Sequence, residues 1–304
     1  MNKFLYVCKS EFVKLRSIKV TYACSIIALL CYWLIAAGVI ILGFTSPGTV
    51  GKSNTASFFV DAGFNLVVSG AGTAVIAVVI LAILLMSTEY SSGSITSTLI
   101  ATPNRTMVFW AKTVIIFIYS YVLGIICSIL TWLVCVPFMI NVDGQNVIPY
   151  PNGLADWAMF FGNPLYMGFV AIFCYFIAVI FKTKAIPLVT YFVLFFILPS
   201  LLAVATSTAY QINQIVGKVA NVCLAFAPSE TFKAFIFSNE GAFVTNSNDN
   251  LLFTTKQISV DDLPANKLLS QVFSLTHISA TVVTILWLAL LCILALNIFK
   301  KRNI

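Results

Sequence analysis

Charge is scarce in this chain: Asp, Glu, Lys and Arg make up only 9% of its 304 residues, while 60% are hydrophobic and the mean hydropathy is +1.01. That leaves too little polar surface to cover a soluble fold, so the chain belongs in a bilayer. Histidine is almost missing. His277 is alone and has no Ser/Asp arrangement attached, which leaves hydrolytic chemistry without support; it reads as an interfacial histidine at the start of the last apolar run. No C-x-x-C or Cys/His cluster suggests a metal. No Asp, Glu, Lys or Arg falls in the middle of any long apolar run. Ion-coupled carriers and pumps place such groups at mid-membrane, so coupling to an ion gradient has no visible means here.

What the chain does have is six apolar runs, at 20–44, 64–86, 108–138, 157–181, 185–205 and 278–299. Each offers about 20 residues or more, enough to cross a hydrocarbon core of ~30 Å. With both termini inside, twelve of the 17 basic residues lie on the inner side, namely Lys3, Lys9, Lys14, Arg16, Lys19, Arg105, Lys112, Lys182, Lys184, Lys300, Lys301 and Arg302. The positive-inside rule therefore predicts six helical spans, N-in and C-in. The formal charge of +7 is distributed beside apolar runs rather than along one polar face, and nucleic acid is not an expected partner. Of the eight cysteines, Cys24, Cys31, Cys127, Cys135, Cys174 and Cys292 lie within apolar runs, Cys8 precedes them and only Cys223 falls outside, so no structural disulfide is expected.

Residues 1–19 carry Lys3, Lys9, Lys14, Arg16 and Lys19 against one acid, Glu11, with Phe4, Cys8, Phe12 and Leu15 at helical spacing. This predicts a basic amphipathic helix, either an in-plane anchor on anionic lipid or a contact for a cytoplasmic partner. Residues 206–277 form the largest piece outside the runs. Its first part keeps an apolar stripe of Ile212, Ile215, Val216, Val219, Val222, Cys223 and Phe226 and predicts an interfacial or re-entrant helix. A second short helix is expected over 230–237 and a polar loop over 238–257. SPGTVGKS at 46–53 lacks the first Gly of a P-loop and follows a membrane run instead of a strand, which excludes nucleotide binding there. Gly70 and Gly72 suggest a close helix contact.

The organising stretch is 87–112, STEYSSGSITSTLIATPNRTMVFWAK, a polar connection between two uncharged runs. A piece at 95–101 has room for one or two helical turns before Pro103 stops it. Glu89 is its only acid and must face water or a partner, since a carboxylate in hydrocarbon costs several kcal/mol. The stretch resembles the loop between the second and third membrane helices of bacterial ABC-2 type transporter permeases, in Glu89, Tyr90, Gly93, Ser94, Ile95, Pro103, Arg105, Ala111 and Lys112. EFVKLRS at 11–17 is similar to the E-x-x-K-L-R-S opening of the same family, and Ala227-Pro228-Ser229 to its turn between the fifth and sixth spans. Thr96 and Asn303 stand where the family has Arg and Asp, so no charged role is carried over to either.

The resemblance implies a single ABC-2 type transmembrane domain over 1–304: an amphipathic cytoplasmic helix at 1–19, spans 1–5 over 20–205, an extracytoplasmic helical segment at 206–277, and span 6 with a basic tail at 278–304. It implies a non-enzymatic permease subunit of an ATP-binding cassette exporter in the bacterial cytoplasmic membrane, moving a peptide, drug or lipid-like cargo. ABC ATPase subunits, carrying the ATP and Mg²⁺, and a second permease copy or paralogue are the implied partners, beside membrane lipid. Glu89, Tyr90, Gly93, Arg105 and Lys112 are the implied ATPase-coupling residues, with Glu11, Lys14 and Arg16 as the N-terminal interface. The alternatives are a secondary carrier or channel, and a non-transporting immunity or scaffold protein held at the membrane.

Overall fold

The computed structural model describes residues 3–45, 55–62, 64–94, 100, 104–140, 142–148, 150–151, 154–181, 183–212, 214–236, 253–256, 272–275 and 277–301. The expected turns at 95–101 and the P-loop-like stretch at 46–53 fall almost wholly outside them. Helices dominate. In chain order they are α1 (Lys3–Ser17), α2 (Lys19–Thr45), α3 (Thr55–Ala62), α4 (Asn65–Val68), α5 (Ala71–Ser92), α6 (Arg105–Met139), α7 (Leu154–Phe181) and α8 (Ala185–Phe192). A π-helical segment, Val193–Ile197, then leads into α9 (Leu198–Ile212), α10 (Gln214–Ala225), α11 (Pro228–Ile236) and α12 (His277–Lys301). Strands β1 (Phe253–Lys256) and β2 (Val272–Leu275) pair antiparallel, with Phe253 opposite Leu275, at the edge of the stretch expected to be polar loop.

Six helical stretches have the length and hydropathy to cross a membrane: Lys19–Thr45, Leu66–Ser92, Arg105–Met139, Met159–Phe181, Ala185–Ala205 and Ala280–Lys301. They match the six apolar runs. The structure divides into two compact units, residues 1–184 with 295–304, and residues 185–294.

In the first unit α5 and α7 are the most buried spans. Small and β-branched residues on α5, among them Ala71, Ala74, Ala77, Val78 and Ala82, let its neighbours approach closely. The second apolar run is not one continuous helix, because it breaks between α4 and α5. At that break a Cβ on Gly70 would stand 2.5 Å from the Cα of Tyr32, so only glycine fits against α2, whereas Gly72 has nothing within 4 Å. The Val68 carbonyl at the break accepts a hydrogen bond from Asn163 Nδ2 at 3.1 Å, which satisfies a backbone group the helix would otherwise leave bare. On the far side of the bundle, Asp143 takes a left-handed φ of 52° and its carboxylate accepts the Ala56 N–H at 3.0 Å, closing the start of α3.

In the second unit the π segment lies just ahead of Pro199, which has no N–H to offer the preceding turn. Tyr191, Phe195 and Phe232 pack as tilted rings with centroids 5.1 and 6.0 Å apart. Pro228 opens α11 and buried Thr231 donates back to the Ala227 carbonyl at 2.8 Å, so the expected Ala-Pro-Ser turn is a helix start. The apolar stripe of α10 points outward at Val216, Val219 and Cys223, and Phe226, just past the helix end, is exposed as well.

Candidate functional site: a buried ion cluster

Three helices of the first unit meet at one end of the bundle. α5 runs past its apolar stretch to include Glu89 and is stopped by Gly93, whose left-handed φ of 69° a residue with a Cβ would resist. α6 begins at Arg105, so Lys112 sits two turns into it. α1 is joined to α2 through Ile18 alone, and Thr21 Oγ1 donates to the Leu15 carbonyl at 2.7 Å across that elbow. α1 then lies on α6 through Val7, Val108 and Ala111, flanked by Phe4, Cys8 and Met107.

At the centre is Lys112. Its ammonium donates to Glu11 Oε2 and to Glu89 Oε1, each at 2.5 Å. Lys14 donates to the other Glu11 oxygen at 2.8 Å. Two carboxylates and two ammonium groups make the cluster formally neutral. The side chains of Glu11, Lys112 and Glu89 are only 5, 8 and 16% exposed, while Lys14, at 42%, reaches water. A buried pair of this kind is costly to break, because the remaining member is left uncompensated at about 3–5 kcal/mol.

Burial pushes the Glu11 carboxyl upward, but the charge of Lys112 and the hydrogen bonds from Lys112 and Lys14 outweigh it, so the group sits below the usual carboxylate range. One turn away, the Cys8 thiol is pushed up, by burial first and then by the Glu11 charge. Glu89 Oε2 is buried and accepts no hydrogen bond from the described residues. A cavity of about 30 Å³ opens beside it, lined by Leu85, Met86, Ile115 and Tyr175 as well as the charged groups.

Of the residues singled out from sequence, Glu11, Lys14, Glu89 and Lys112 converge. Glu89 therefore has a partner within its own chain. Gly93 ends the helix that carries Glu89, and Tyr90 follows it, half-buried. Arg105 reaches elsewhere, to the Lys300 carbonyl at 3.3 Å, and Arg16 is exposed on α1. Tyr175 was not anticipated, since nothing in an apolar run distinguishes the tyrosine that will line a polar cavity. Among the described residues no group of three His, Cys, Asp or Glu could hold a metal ion. One lysine ties the N-terminal helix and the end of α5 to α6.

Comparison with protein-family models finds no match, and comparison with curated proteins finds no relative.

Proposed function

We propose that the chain is the membrane-spanning subunit of an ATP-driven exporter of ABC-2 type in a bacterial cytoplasmic membrane, with both termini inside. It pairs with a second copy or a paralogue and with separate ATPase subunits that bind ATP and Mg²⁺. The observation that carries this reading is the convergence of Glu11, Glu89 and Lys112 in one buried cluster. These residues come from two stretches that resemble the family separately, 11–17 and 87–112.

In this reading the ATPases act on the connection between α5 and α6 and on α1. Because Lys112 holds α1, α5 and α6 together, a displacement applied at either place moves all three helix ends. Different contact free energies in the two ATPase states then bias the paired permeases between two arrangements. The apolar, aromatic-rich spans suit an amphipathic peptide, drug or lipid-like cargo. The uncharged middles of the spans support an energy source in a partner chain.

The test starts from the neighbouring reading frames, one of which should encode an ATPase with a complete P-loop and ABC signature, and proceeds by reconstitution of the chain with that ATPase. Substrate movement in liposomes should require both proteins and hydrolysable ATP, and Glu89→Ala should insert normally yet lose transport and stimulation of the ATPase. Substrate movement by the purified chain alone would establish a carrier or channel instead.

A further inference from the structure

The sequence suggests that the apolar stripe of α1, Phe4, Cys8, Phe12 and Leu15, faces one way. The structure divides it. Leu15 is buried and Phe4 and Cys8 are partly buried against α6, whereas Phe12 is 48% exposed. A second set of apolar residues lies outward with it: Leu5, Tyr6 and Val13, at 59, 65 and 57% exposure.

Residues seven apart fall on nearly the same line of an α-helix. Leu5 and Phe12 therefore make one outward row, Lys9 and Arg16 the next, and Tyr6 and Val13 a third. Cys8, partly buried, adjoins the Leu5/Phe12 row. Lys3, Lys14, Ser10 and Ser17 lie round the other side. The helix thus has a basic row between two apolar rows, Leu5/Phe12 and Tyr6/Val13, then a polar edge, besides the face packed on α6.

Two features identify the occupant of this surface. First, only Ile18 separates α1 from α2, a helix able to cross a membrane, so the surface lies at the bilayer boundary by chain connection. Second, Glu11 is the only acid before Asp61, and it is withdrawn from the surface into the cluster with Lys112. The exposed residues of α1 include Lys3, Lys9 and Arg16 and no acid, and exposed Lys19 follows at the start of α2.

We infer that this face binds anionic phospholipid, with Leu5 and Phe12 entering the acyl boundary and Lys9 and Arg16 holding headgroup phosphates. Their aliphatic stems lie along the apolar row while the charged ends reach the phosphates. Each basic residue at an anionic membrane surface strengthens association roughly fivefold, so the pair gives a preference over zwitterionic lipid. The inference does not depend on the transporter reading.

The test replaces Phe12 with the photoreactive p-benzoylphenylalanine in the full chain, in vesicles of phosphatidylglycerol and phosphatidylcholine. After irradiation, mass spectrometry should find phospholipid adducts at position 12, with phosphatidylglycerol enriched roughly fivefold or more over its bulk share. Lys9→Gln/Arg16→Gln should return that ratio to the bulk value. The same probe at Leu34, outward on α2 at 71% exposure, should give lipid adducts in either background and so reports correct insertion. Adducts at Leu34 but none at Phe12, adducts only to protein at Phe12, or lipid adducts without anionic enrichment would each overturn the inference.

Discussion

Lys112→Met is the perturbation that most directly tests the ion cluster. It removes the one cation that both buried carboxylates share and leaves Glu11 and Glu89 facing each other with only the partly exposed Lys14 nearby. Breaking such a site costs about 3–5 kcal/mol. The cost should fall on α1 and not on the whole bundle, because α1 is otherwise held to α6 by the small patch around Val7, Val108 and Ala111. At about 1.4 kcal/mol per decade, amide exchange in α1 should accelerate by roughly a hundred- to several-thousand-fold, measured by hydrogen exchange in nanodiscs. Exchange in α5 and α7 should change far less. Neutralising all three positions, with Glu11→Gln, Glu89→Gln and Lys112→Met together, removes the uncompensated charges and should recover most of the protection. Unchanged α1 exchange in Lys112→Met would refute the reasoning, and so would a triple variant as fast as the single one.

Glu11→Gln strands only Lys14, which can turn to water, so its effect on α1 should be about 1 kcal/mol, well below that of Lys112→Met, in the same exchange experiment. Because the folded Glu11 carboxyl lies below its unfolded value, its contribution is complete above the usual carboxylate range and is lost as pH falls through the lowered value. α1 protection, corrected for intrinsic exchange, should therefore be flat from about pH 5 to 8 and decline only in more acidic solution; a loss near neutrality would contradict the pairing. Gly70→Ala places a methyl 2.5 Å from the Tyr32 Cα and should cost about 1–3 kcal/mol in thermal inactivation, while Gly72→Ala, with open space around it, should be neutral or stabilising. For the proposed topology, a single cysteine replacing Asn248 in a cysteine-free background should react with an impermeant thiol reagent in whole cells, and one replacing Asn104 should not.

The spans were legible because hydropathy over about 20 residues is set by the bilayer and not by neighbours. Their ends were less so. α6 begins at Arg105, before the apolar run, and α5 continues past it to Ser92, because helix hydrogen bonding does not stop where hydrophobicity does. The break at Ser69 and Gly70 left no periodic signal, although Gly70 itself stood out as a contact. In α1 the apolar stripe misled at Phe12, and the buried Glu11 was the reverse surprise. Pattern reading assumes that the partner surface is apolar, and here the partner surface presents a lysine. Glu89 and Lys112 could be recognised singly as lone charges at the ends of uncharged runs. Their meeting with Glu11 could not, since it joins residues 101 apart and depends on the register of three helices.

A cluster of four charges, three of them largely buried, is a poor way to gain stability, because well-packed apolar residues of the same volume are often as stable or more so. Its consequence is registry. The apolar contact between α1 and α6 is short and has no directional groups, so alone it would tolerate a slide or a rotation of α1. Lys112 removes that freedom: only one rotation of α1 brings Glu11 onto it at hydrogen-bond distance. The same rotation aims the Leu5 and Phe12 row outward with Lys9 and Arg16 beside it. Turning Glu11 outward instead would carry Lys9 and Arg16, which lie on the opposite side of the helix, toward α6 and away from phosphate. The ion cluster thus determines which face of α1 the membrane meets, and breaking it should disturb lipid contact at Phe12 as well as the docking of α1 itself.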